Sequence, residues 1–340
     1  MAIMVTGGAG YIGSHAVKQL LQAGHTVVAV DNLVRGHRKA IDQLATIAEG
    51  RLAFVEADTG DRPTIEAALR EHDVDTVMHF AALAYVGESV TEPLRYYRAN
   101  TASALGLLEA CDAVGVSRFI FSSTCATYGE PPRVPMDEHT PQSPVSPYGV
   151  SKLHVEHILR DYAEACRRNG KEFAYAALRY FNVAGSDPDG LVGEDHEPET
   201  HLIPVVIQAA MGLRDRITIF GTDYDTPDRT CIRDYVHVCD LVSAHMTVMD
   251  ALKPGDERFY NLGIGKGMSV REIIDAVIRV TGKSFEITEG ERRAGDPSAL
   301  FADPSKIKEE LGWKAQYTDI DRIVETAWDW FQKHPRGYAG

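Results

Sequence analysis

Short apolar runs alternate with segments of helical periodicity through the first half of the chain. The apolar runs predict strands at 3–6, 26–30, 52–57, 76–82, 118–124 and 173–182. Between them, apolar residues three and four apart predict helices from Ile12 to Gly24, over 61–71, over 93–113 and from Pro147 onwards. Strands that alternate with helices join through right-handed crossovers into parallel sheets. The pattern therefore predicts an α/β fold built on a doubly wound parallel sheet.

The second half of the chain has a different composition. Residues 183–200 are rich in glycine, proline and acidic side chains, which favours a linker or a substrate loop. Beyond them a short strand at 217–220 is followed by helical patterns at 240–252, 269–280 and 318–332. This mixture predicts a smaller α/β unit beside the sheet.

Composition and charge narrow the class of protein. The 340 residues are 44% hydrophobic and 25% charged, with a net charge of −14, so nucleic acid is an unsuitable partner. No apolar run reaches the ~18 residues that span a bilayer, and the strand pattern from Ala2 to Thr6 leaves no room for a signal peptide. The five cysteines show no CxxC spacing. We therefore expect a cytoplasmic protein with no membrane partner.

The thirteen histidines raise the question of a metal site. The nearest candidate is the run from His154 to His157, and no carboxylate or cysteine set of zinc type accompanies it. We expect no metal.

A glycine-rich turn follows the first strand. Gly7, Gly10 and Gly13 lie between that strand and the helix that begins near Ile12, which is the context that a dinucleotide-binding turn requires. The second strand ends at Asp31, 18 residues after Gly13, where a carboxylate accepts hydrogen bonds from ribose hydroxyls and repels a 2′-phosphate. The pattern predicts a Rossmann-like sheet that binds NAD rather than NADP.

Polar or small residues lie at the carboxyl end of each predicted strand. In a parallel sheet these ends meet at one edge, where ligands bind. The positions are Gly7, Asp31, Asp58, Phe80 to Ala82, Ser122 to Thr124, and Tyr180 to Asn182. Their convergence predicts the site more strongly than any one motif.

Tyr148 and Lys152 stand one turn apart on a predicted helix. Ser146 is a good N-cap, and Pro147 suits the first helical position. An ammonium ~4 Å from a phenol favours the phenolate by about 4 kcal/mol at an effective dielectric of about 20. That energy would lower the tyrosine pKa to ~7, where the phenol can exchange a proton with a sugar hydroxyl. The alternative is a core tyrosine beside a lysine whose ammonium reaches solvent.

Basic residues in the second half suggest where an anion would bind. Arg229, Arg233, Arg292 and Arg293 could clamp a phosphate in this acidic chain, or could form surface ion pairs. Six prolines between Pro131 and Pro147 indicate either a rigid flap beside the site or a plain surface crossover.

Several motifs together resemble the extended short-chain dehydrogenase/reductase family and, within it, the UDP-glucose 4-epimerases. The broader family shares the three glycines, Asn100, Thr124 and the Tyr-x-x-x-Lys pair. More specific matches are Val86 to Ser89, Tyr180 to Gly185, Ile219 to Val238, and Arg292 to Pro297. The resemblance covers nearly the whole chain. It implies an NAD-binding domain at 1–180, to which about 234–262 returns, and a UDP-sugar-binding domain at 181–340.

The resemblance also implies roles for single residues. The catalytic residues would be Thr124, Tyr148 and Lys152. Cofactor-binding residues would be Gly7, Gly10, Tyr11, Ile12, Gly13, Asp31, Asn32, Asp58, Thr59, Phe80, Ala81, Ala82, Asn100, Ser122, Tyr148, Lys152 and Tyr180. Substrate-binding residues would be Thr124, Phe181, Asn182, Leu202, Thr218, Phe220, Arg233, Tyr235, Arg293 and Asp296. Two departures matter: many members carry a lysine where this chain has Ala84, and some carry a serine where it has Thr124.

The reaction implied is reversible inversion at C4 of UDP-glucose and UDP-galactose through a 4-keto sugar. The alternatives are an epimerase that also or mainly uses N-acetylated UDP-hexosamines, another NAD-dependent nucleotide-sugar enzyme such as a dehydratase, and a non-catalytic NAD sensor. Cys125 and Ala126 cannot supply the acid–base pair that a dehydratase needs.

Leu300 stands where family members that accept only unacetylated sugars often have a bulky aromatic. The smaller leucine implies weak activity on UDP-N-acetylglucosamine. Helices 93–113 and 147–168 keep apolar residues on a second face, and the family commonly pairs through them, so we expect a homodimer.

Overall fold

The computed structural model describes residues 2–293 and 296–339. A seven-stranded, wholly parallel sheet forms its centre, in the order β11-β6-β5-β4-β1-β2-β3. The strands are β1 Ala2–Thr6, β2 Val27–Asp31, β3 Leu52–Glu56, β4 Val74–His79, β5 Arg118–Thr124, β6 Ala174–Tyr180 and β11 Glu257–Leu262. The change of direction between β1 and β4 is the switch point at which ligands bind to such sheets.

Helices cover both faces of this sheet. They are α1 Tyr11–Gln22, α2 Arg38–Ala45, α3 Arg62–Glu71, α4 Val86–Thr91, α5 Pro93–Tyr96, α6 Ser103–Val114, α7 Pro147–Arg168 and α9 Val238–Ala251. Leu20 and Leu241 belong to the core on one face, while Ile65, Leu107 and Leu159 belong to the core on the other. The predicted Rossmann-like, doubly wound α/β fold is confirmed.

A third core lies outside the main sheet. It is formed mainly by α8 Leu202–Ala210, α10 Val270–Thr281 and α12 Ile320–Lys333, with residues of β7 Asn182–Ala184, β8 Arg216–Phe220, β10 Tyr235–His237 and β12 Met268–Ser269. Ile207, Ile273 and Trp330 are fully buried there. The other short elements of this half are β9 Ile232–Arg233, β13 Glu286–Gly290, β14 Ala299–Leu300 and α11 Ser305–Leu311, whose Ile307 belongs to the core that contains Leu20. Within the described residues, no helix combines the length and apolarity needed to cross a bilayer.

The structure differs from the predicted elements in three places. The predicted helix 93–113 is instead α5, a π-helical segment at Tyr97–Ala102, and α6. The strand expected at 76–82 ends at His79, because the chain from Phe80 onwards turns to pack on the glycine-rich turn. The strand expected at 173–182 ends at Tyr180, and Asn182 begins a strand that pairs with β10.

Candidate active site

The glycine-rich turn lies against the backbone that follows β4. Gly7 has a φ of +71°, and a Cβ there would lie 2.8 Å from the amide nitrogen of Ala81. A Cβ on Gly13 would lie 2.0 Å from the carbonyl oxygen of Gly7. Gly10 caps α1 without a side chain, so the first amides of the helix remain available to an anion. This cradle fits the diphosphate of a dinucleotide and tolerates no larger side chains.

Asp31 closes the turn at the end of β2. Its carboxylate accepts hydrogen bonds from the amides of Ala9 at 3.0 Å and Leu33 at 2.9 Å. Burial raises the pKa of Asp31, and these amide donors oppose the rise. Asn32 next to it donates to Asp58 Oδ2 at 2.9 Å, so the ends of β2 and β3 are joined. Asp31 and Asn32, which are expected to bind the adenosine part of the cofactor, therefore lie together with Asp58 at one edge of the sheet.

The first turn of α7 lies close to the end of β5. As predicted, Ser146 caps the helix, and its Oγ accepts a hydrogen bond from the amide of Gly149 at 3.2 Å. A Cβ on Gly149 would lie 2.4 Å from the carbonyl oxygen of Ala126. Tyr148 and Lys152 are both buried, with 9% and 3% of their surface exposed.

Burial changes the pKa of both Lys152 and Tyr148. Its Nζ donates to the carbonyl oxygen of Ser122 at 2.8 Å and lies 5.0 Å from the centre of the Phe121 ring. Burial lowers the pKa of Lys152 to about 7. Burial raises the pKa of Tyr148 well above its usual value, Tyr180 adds to the rise, and a hydrogen bond to Thr124 opposes it. Burial therefore dominates the pKa of Tyr148 in the protein without cofactor, and the fall to ~7 beside Lys152 and a bound nicotinamide stays a prediction.

Two further polar side chains organise the same edge. Ser122 Oγ is hydrogen bonded to the hydroxyl of Tyr180. Asn100 donates from Nδ2 to the carbonyl oxygen of Leu83 and to Ser151 Oγ, both at 3.0 Å, and accepts from the amide of Leu83 at 2.8 Å. Because its amide is used within the protein, Asn100 ties α7 to the segment after β4.

The arginines expected to hold an anion differ in their burial and in the groups that they contact. Arg233 is 11% exposed at its side chain, forms an ion pair with Asp296, and donates to the carbonyl oxygen of Pro297 at 2.9 Å. Arg293 lies 4.4 Å from the centre of the Phe220 ring. Arg292 pairs with Asp223 at 2.5 Å, as in the surface-pair alternative. Of the 292–297 motif, residues 294 and 295 lie outside the described residues.

The other predicted substrate residues lie on, or next to, the short strands and helices that follow the main sheet. The amide of Asn182 donates to the carbonyl oxygen of Asp234 at 3.0 Å, and Tyr235 is 3% exposed. Leu300 on β14 is the register partner of Arg233 on β9. The remaining members are Phe181, which is 8% exposed, Leu202 at the start of α8, and Thr218 on β8, which is hydrogen bonded to Thr288 at 3.0 Å.

Four titratable side chains that the sequence analysis did not select also meet in the structure. Glu194, His196, Glu199 and His201 bring one ligand atom each within 4.8 Å of one another. Burial lowers the pKa of His201, but Glu194 and Glu199 outweigh it and raise that pKa to about 10. Their Glu-x-His-x-x-Glu-x-His spacing is visible in the sequence, but it is not a recognised zinc motif.

Comparison with known proteins gives matches along the whole chain. The family model described as GDP-mannose 4,6 dehydratase matches residues 4–326. The UDP-glucose 4-epimerase of Lacticaseibacillus casei is 47% identical over 342 residues, with 100% of this chain and 99% of that protein covered. A probable UDP-arabinose 4-epimerase of Oryza sativa subsp. japonica is 46% identical over 343 residues, with 99% and 84% covered. The solved structure of UDP-glucose 4-epimerase from Bifidobacterium longum in complex with NAD+ and UDP is similar with a TM-score of 0.93 at 39% identity, covering 99% of this chain and 100% of that one.

Proposed function

The chain belongs to the UDP-glucose 4-epimerase family, and from this we propose that it interconverts UDP-glucose and UDP-galactose by reversible inversion at C4, with a tightly held NAD. The observation that carries the proposal is the meeting of Thr124, Tyr148 and Lys152 at the sheet edge where the glycine-rich turn and Asp31 also lie. Proton exchange and dinucleotide binding would then occur side by side.

The residues at this sheet edge have separate roles in the proposed reaction. When bound, NAD supplies a hydride acceptor that also returns the hydride, and its positive nicotinamide favours an ionised phenol nearby. Tyr148 removes the proton of the C4 hydroxyl and gives it back after inversion. Thr124 hydrogen-bonds the same sugar oxygen. Lys152, fixed on the carbonyl oxygen of Ser122, holds its Nζ at the base of the site.

Inversion requires firm binding of UDP and loose binding of the hexose. Arg233 and Arg293 supply charge for the diphosphate, and Phe220 and Tyr235 supply apolar surface for the uridine. Strong contacts restricted to UDP let the 4-keto sugar turn about its phosphate linkage and present its other face.

Product analysis tests the proposal directly. The purified protein is incubated separately with UDP-glucose, UDP-galactose, UDP-N-acetylglucosamine and UDP-arabinose, and the products are separated. We expect the two hexoses to interconvert, and nicotinamide nucleotide to be released when the protein is denatured. Absence of that nucleotide together with no response to added NAD contradicts the cofactor assignment, and exclusive turnover of the pentose or the N-acetylated sugar contradicts the substrate assignment.

We propose weak activity on UDP-N-acetylglucosamine as well. Leu300 is half-buried and packs against the cluster that contains Tyr128, Met136 and Phe181. An aromatic ring at this position would narrow the pocket, and a steric block discriminates more strongly than a missing contact of about 1–3 kcal/mol. Leu300→Tyr should remove the second activity and spare the first. Equal loss of both activities would show that Leu300 does not gate the pocket.

We further propose a homodimer formed through the helices over 93–113, namely α5, the π-helical segment and α6, together with α7. Leu94 and Leu105 expose 81% and 45% of their surface on these helices. Light scattering should give twice 37.4 kDa, about 75 kDa. Leu94→Asp should shift the mass toward the monomer, while Leu213→Asp, at a site 57% exposed on another part of the chain, should not. A wild type of 37.4 kDa at micromolar concentration would refute the dimer.

The two-domain division at residue 180 is also a proposal. It is supported by β11, which pairs in parallel with β6, and by the third core, which apart from Ala40 is built from residues beyond 180. Limited proteolysis with mass spectrometry would test it, since cleavage should be concentrated between the two units.

A further inference from the structure

Four titratable side chains of one loop segment come close together near the sheet edge where the dinucleotide is expected to bind. The segment is residues 194–201, and the side chains are those of Glu194, His196, Glu199 and His201. Glu194 and Glu199 are 2% and 3% exposed at their side chains, and the two histidines 17% and 39%. Two carboxylates this deeply buried require two compensating positive charges. Either two protons on the histidines or one divalent cation can supply them.

The hydrogen-bond geometry differs between the two histidines: His201 Nδ1 is hydrogen bonded to Glu199 Oε1 at 3.1 Å, whereas His196 Nδ1 makes no hydrogen bond among the residues that the structure describes. His196 Nδ1 lies 3.3 Å from Glu194 Oε1, yet neither atom has a hydrogen-bond partner, although both are buried. A protonated imidazole would aim its N–H at one carboxylate oxygen. Atoms that approach closely without aiming at each other are those expected to face a common centre.

The separations also match a small coordination cage. His201 Nδ1 lies 2.9 Å from Glu194 Oε1 and 3.1 Å from Glu199 Oε1, and His196 Nδ1 lies 3.3 Å from Glu194 Oε1 and 3.7 Å from Glu199 Oε2, so Glu199 offers a different oxygen to each histidine. One atom from each of the four residues can be chosen so that all lie within 4.8 Å of one another. Four ligands at 2.0–2.1 Å from a tetrahedral zinc lie about 3.3 Å apart. The observed distances lie on both sides of that value.

We propose that Glu194, His196, Glu199 and His201 bind one divalent transition-metal ion, with Zn²⁺ as the preferred occupant. Imidazole nitrogens favour Zn²⁺ over Mg²⁺ and Ca²⁺, which prefer all-oxygen sets. Four protein ligands complete a tetrahedral shell, so the ion has a structural role and takes no part in the sugar chemistry.

The surroundings show what such an ion would hold in place. The segment is fastened by its backbone carbonyls: Asp195 accepts from His37 Nε2 at 3.0 Å, Glu197 from Arg35, and Pro198 from the hydroxyl of Tyr85 at 3.0 Å. Arg35 and His37 follow β2, and Tyr85 follows β4, at the sheet edge where the dinucleotide is expected. The ion would close the segment on itself and so fix these three contacts together.

Metal content and Co²⁺ spectroscopy test the proposal on the full chain without a histidine tag. The protein is dialysed against a chelator, equilibrated with Zn²⁺ or Co²⁺, and freed of unbound metal by gel filtration. We expect one Zn²⁺ per chain by mass spectrometry, the intense visible absorption of four-coordinate Co²⁺, and a rise in melting temperature with Zn²⁺.

Variants locate the site. Glu194→Gln and His196→Ala should each weaken Zn²⁺ binding at least ~10²-fold, since even partners outside a ligand set contribute 10–100-fold. His157→Ala, which removes an exposed histidine of α7, is the matched control and should bind normally. Circular dichroism checks that each variant folds. If a variant does not fold, the Co²⁺ spectrum of the wild-type protein tests the proposal by itself.

Three results would overturn the proposal. They are wild-type protein that retains only trace metal, a weak spectrum typical of six-coordinate Co²⁺, and binding that persists unchanged in folded Glu194→Gln or His196→Ala. None of these readouts depends on sugar turnover, so the metal site and the proposed reaction can fail separately.

Discussion

Replacing Lys152 by methionine measures the stability that the protein loses by burying an ammonium group in its site. Lys152 is 3% exposed, and the only hydrogen bond of its side chain within the described residues runs from Nζ to the carbonyl oxygen of Ser122. Methionine has a similar length and no charge. We expect the variant to lose turnover and, near neutral pH, to be more stable than the wild type.

The magnitude follows from the pKa. A fall from 10.5 to about 7 on folding corresponds to a cost of about 5 kcal/mol while the lysine is charged in both states. Below about pH 7 that cost is present in full. Between about pH 7 and 10.5 the unfolded chain holds a proton that the folded protein has released, so the free energy of unfolding rises with pH by about 1.4 kcal/mol per unit.

Loss of the hydrogen bond to Ser122 offsets about 1.5–3 kcal/mol of the gain. The methionine variant should therefore be more stable by about 2 kcal/mol at pH 7, and the two proteins should be equally stable near pH ~9. Denaturant unfolding of cofactor-free protein at pH 6 to 9 gives the difference, because bound dinucleotide would stabilise the two proteins unequally. Lys283→Met, at an exposed position, is the control. A difference between wild type and variant that stays constant from pH 7 to 9 would refute the reasoning.

Three further substitutions test other contacts of the site. Tyr148→Phe should lower turnover at least ~10²-fold with UDP binding unchanged in calorimetry, and near-normal turnover would make the tyrosine structural. Arg179→Met should lower the free energy of unfolding by about 3–5 kcal/mol, because it leaves Glu156, which is 0% exposed, without its cation. The double variant with Glu156→Gln should recover much of that loss, and strictly additive effects would argue against coupling. Gly149→Ala should cost about 1–3 kcal/mol and reduce turnover, whereas Gly87→Ala, with open space around it, should do neither.

The local patterns of the first half were readable from the sequence. The cap formed by Ser146 and the placement of Asp31 after β2 depend on residues close together in the chain. The convergence of strand ends follows from parallel pairing alone. These features need no knowledge of distant side chains, so periodicity and spacing are enough to predict them.

Most of what was missed depends on contacts between distant segments. Lys152 bonds to Ser122, thirty positions away, and its pKa is set by burial that no local pattern records. Whether an arginine binds an acidic neighbour or remains available to a ligand likewise depends on the fold, as Arg292 and Asp223 show. The group from Glu194 to His201 is local by contrast, and it was missed because its spacing matches no recognised motif.

The π-helical segment at Tyr97–Ala102 restricts how the chain can change in length. A π turn contains one more residue than an α turn. Deleting one residue there would restore regular α-helical bonding but rotate the side chains on one side of the deletion by about 100° relative to the other. Asn100 would then lose Leu83 and Ser151, or α6 would turn its apolar face away from the sheet. The number of residues between Pro93 and Ser103 is therefore fixed, because both the contacts of Asn100 and the apolar face of α6 depend on it. Insertions and deletions can be accommodated in surface loops instead.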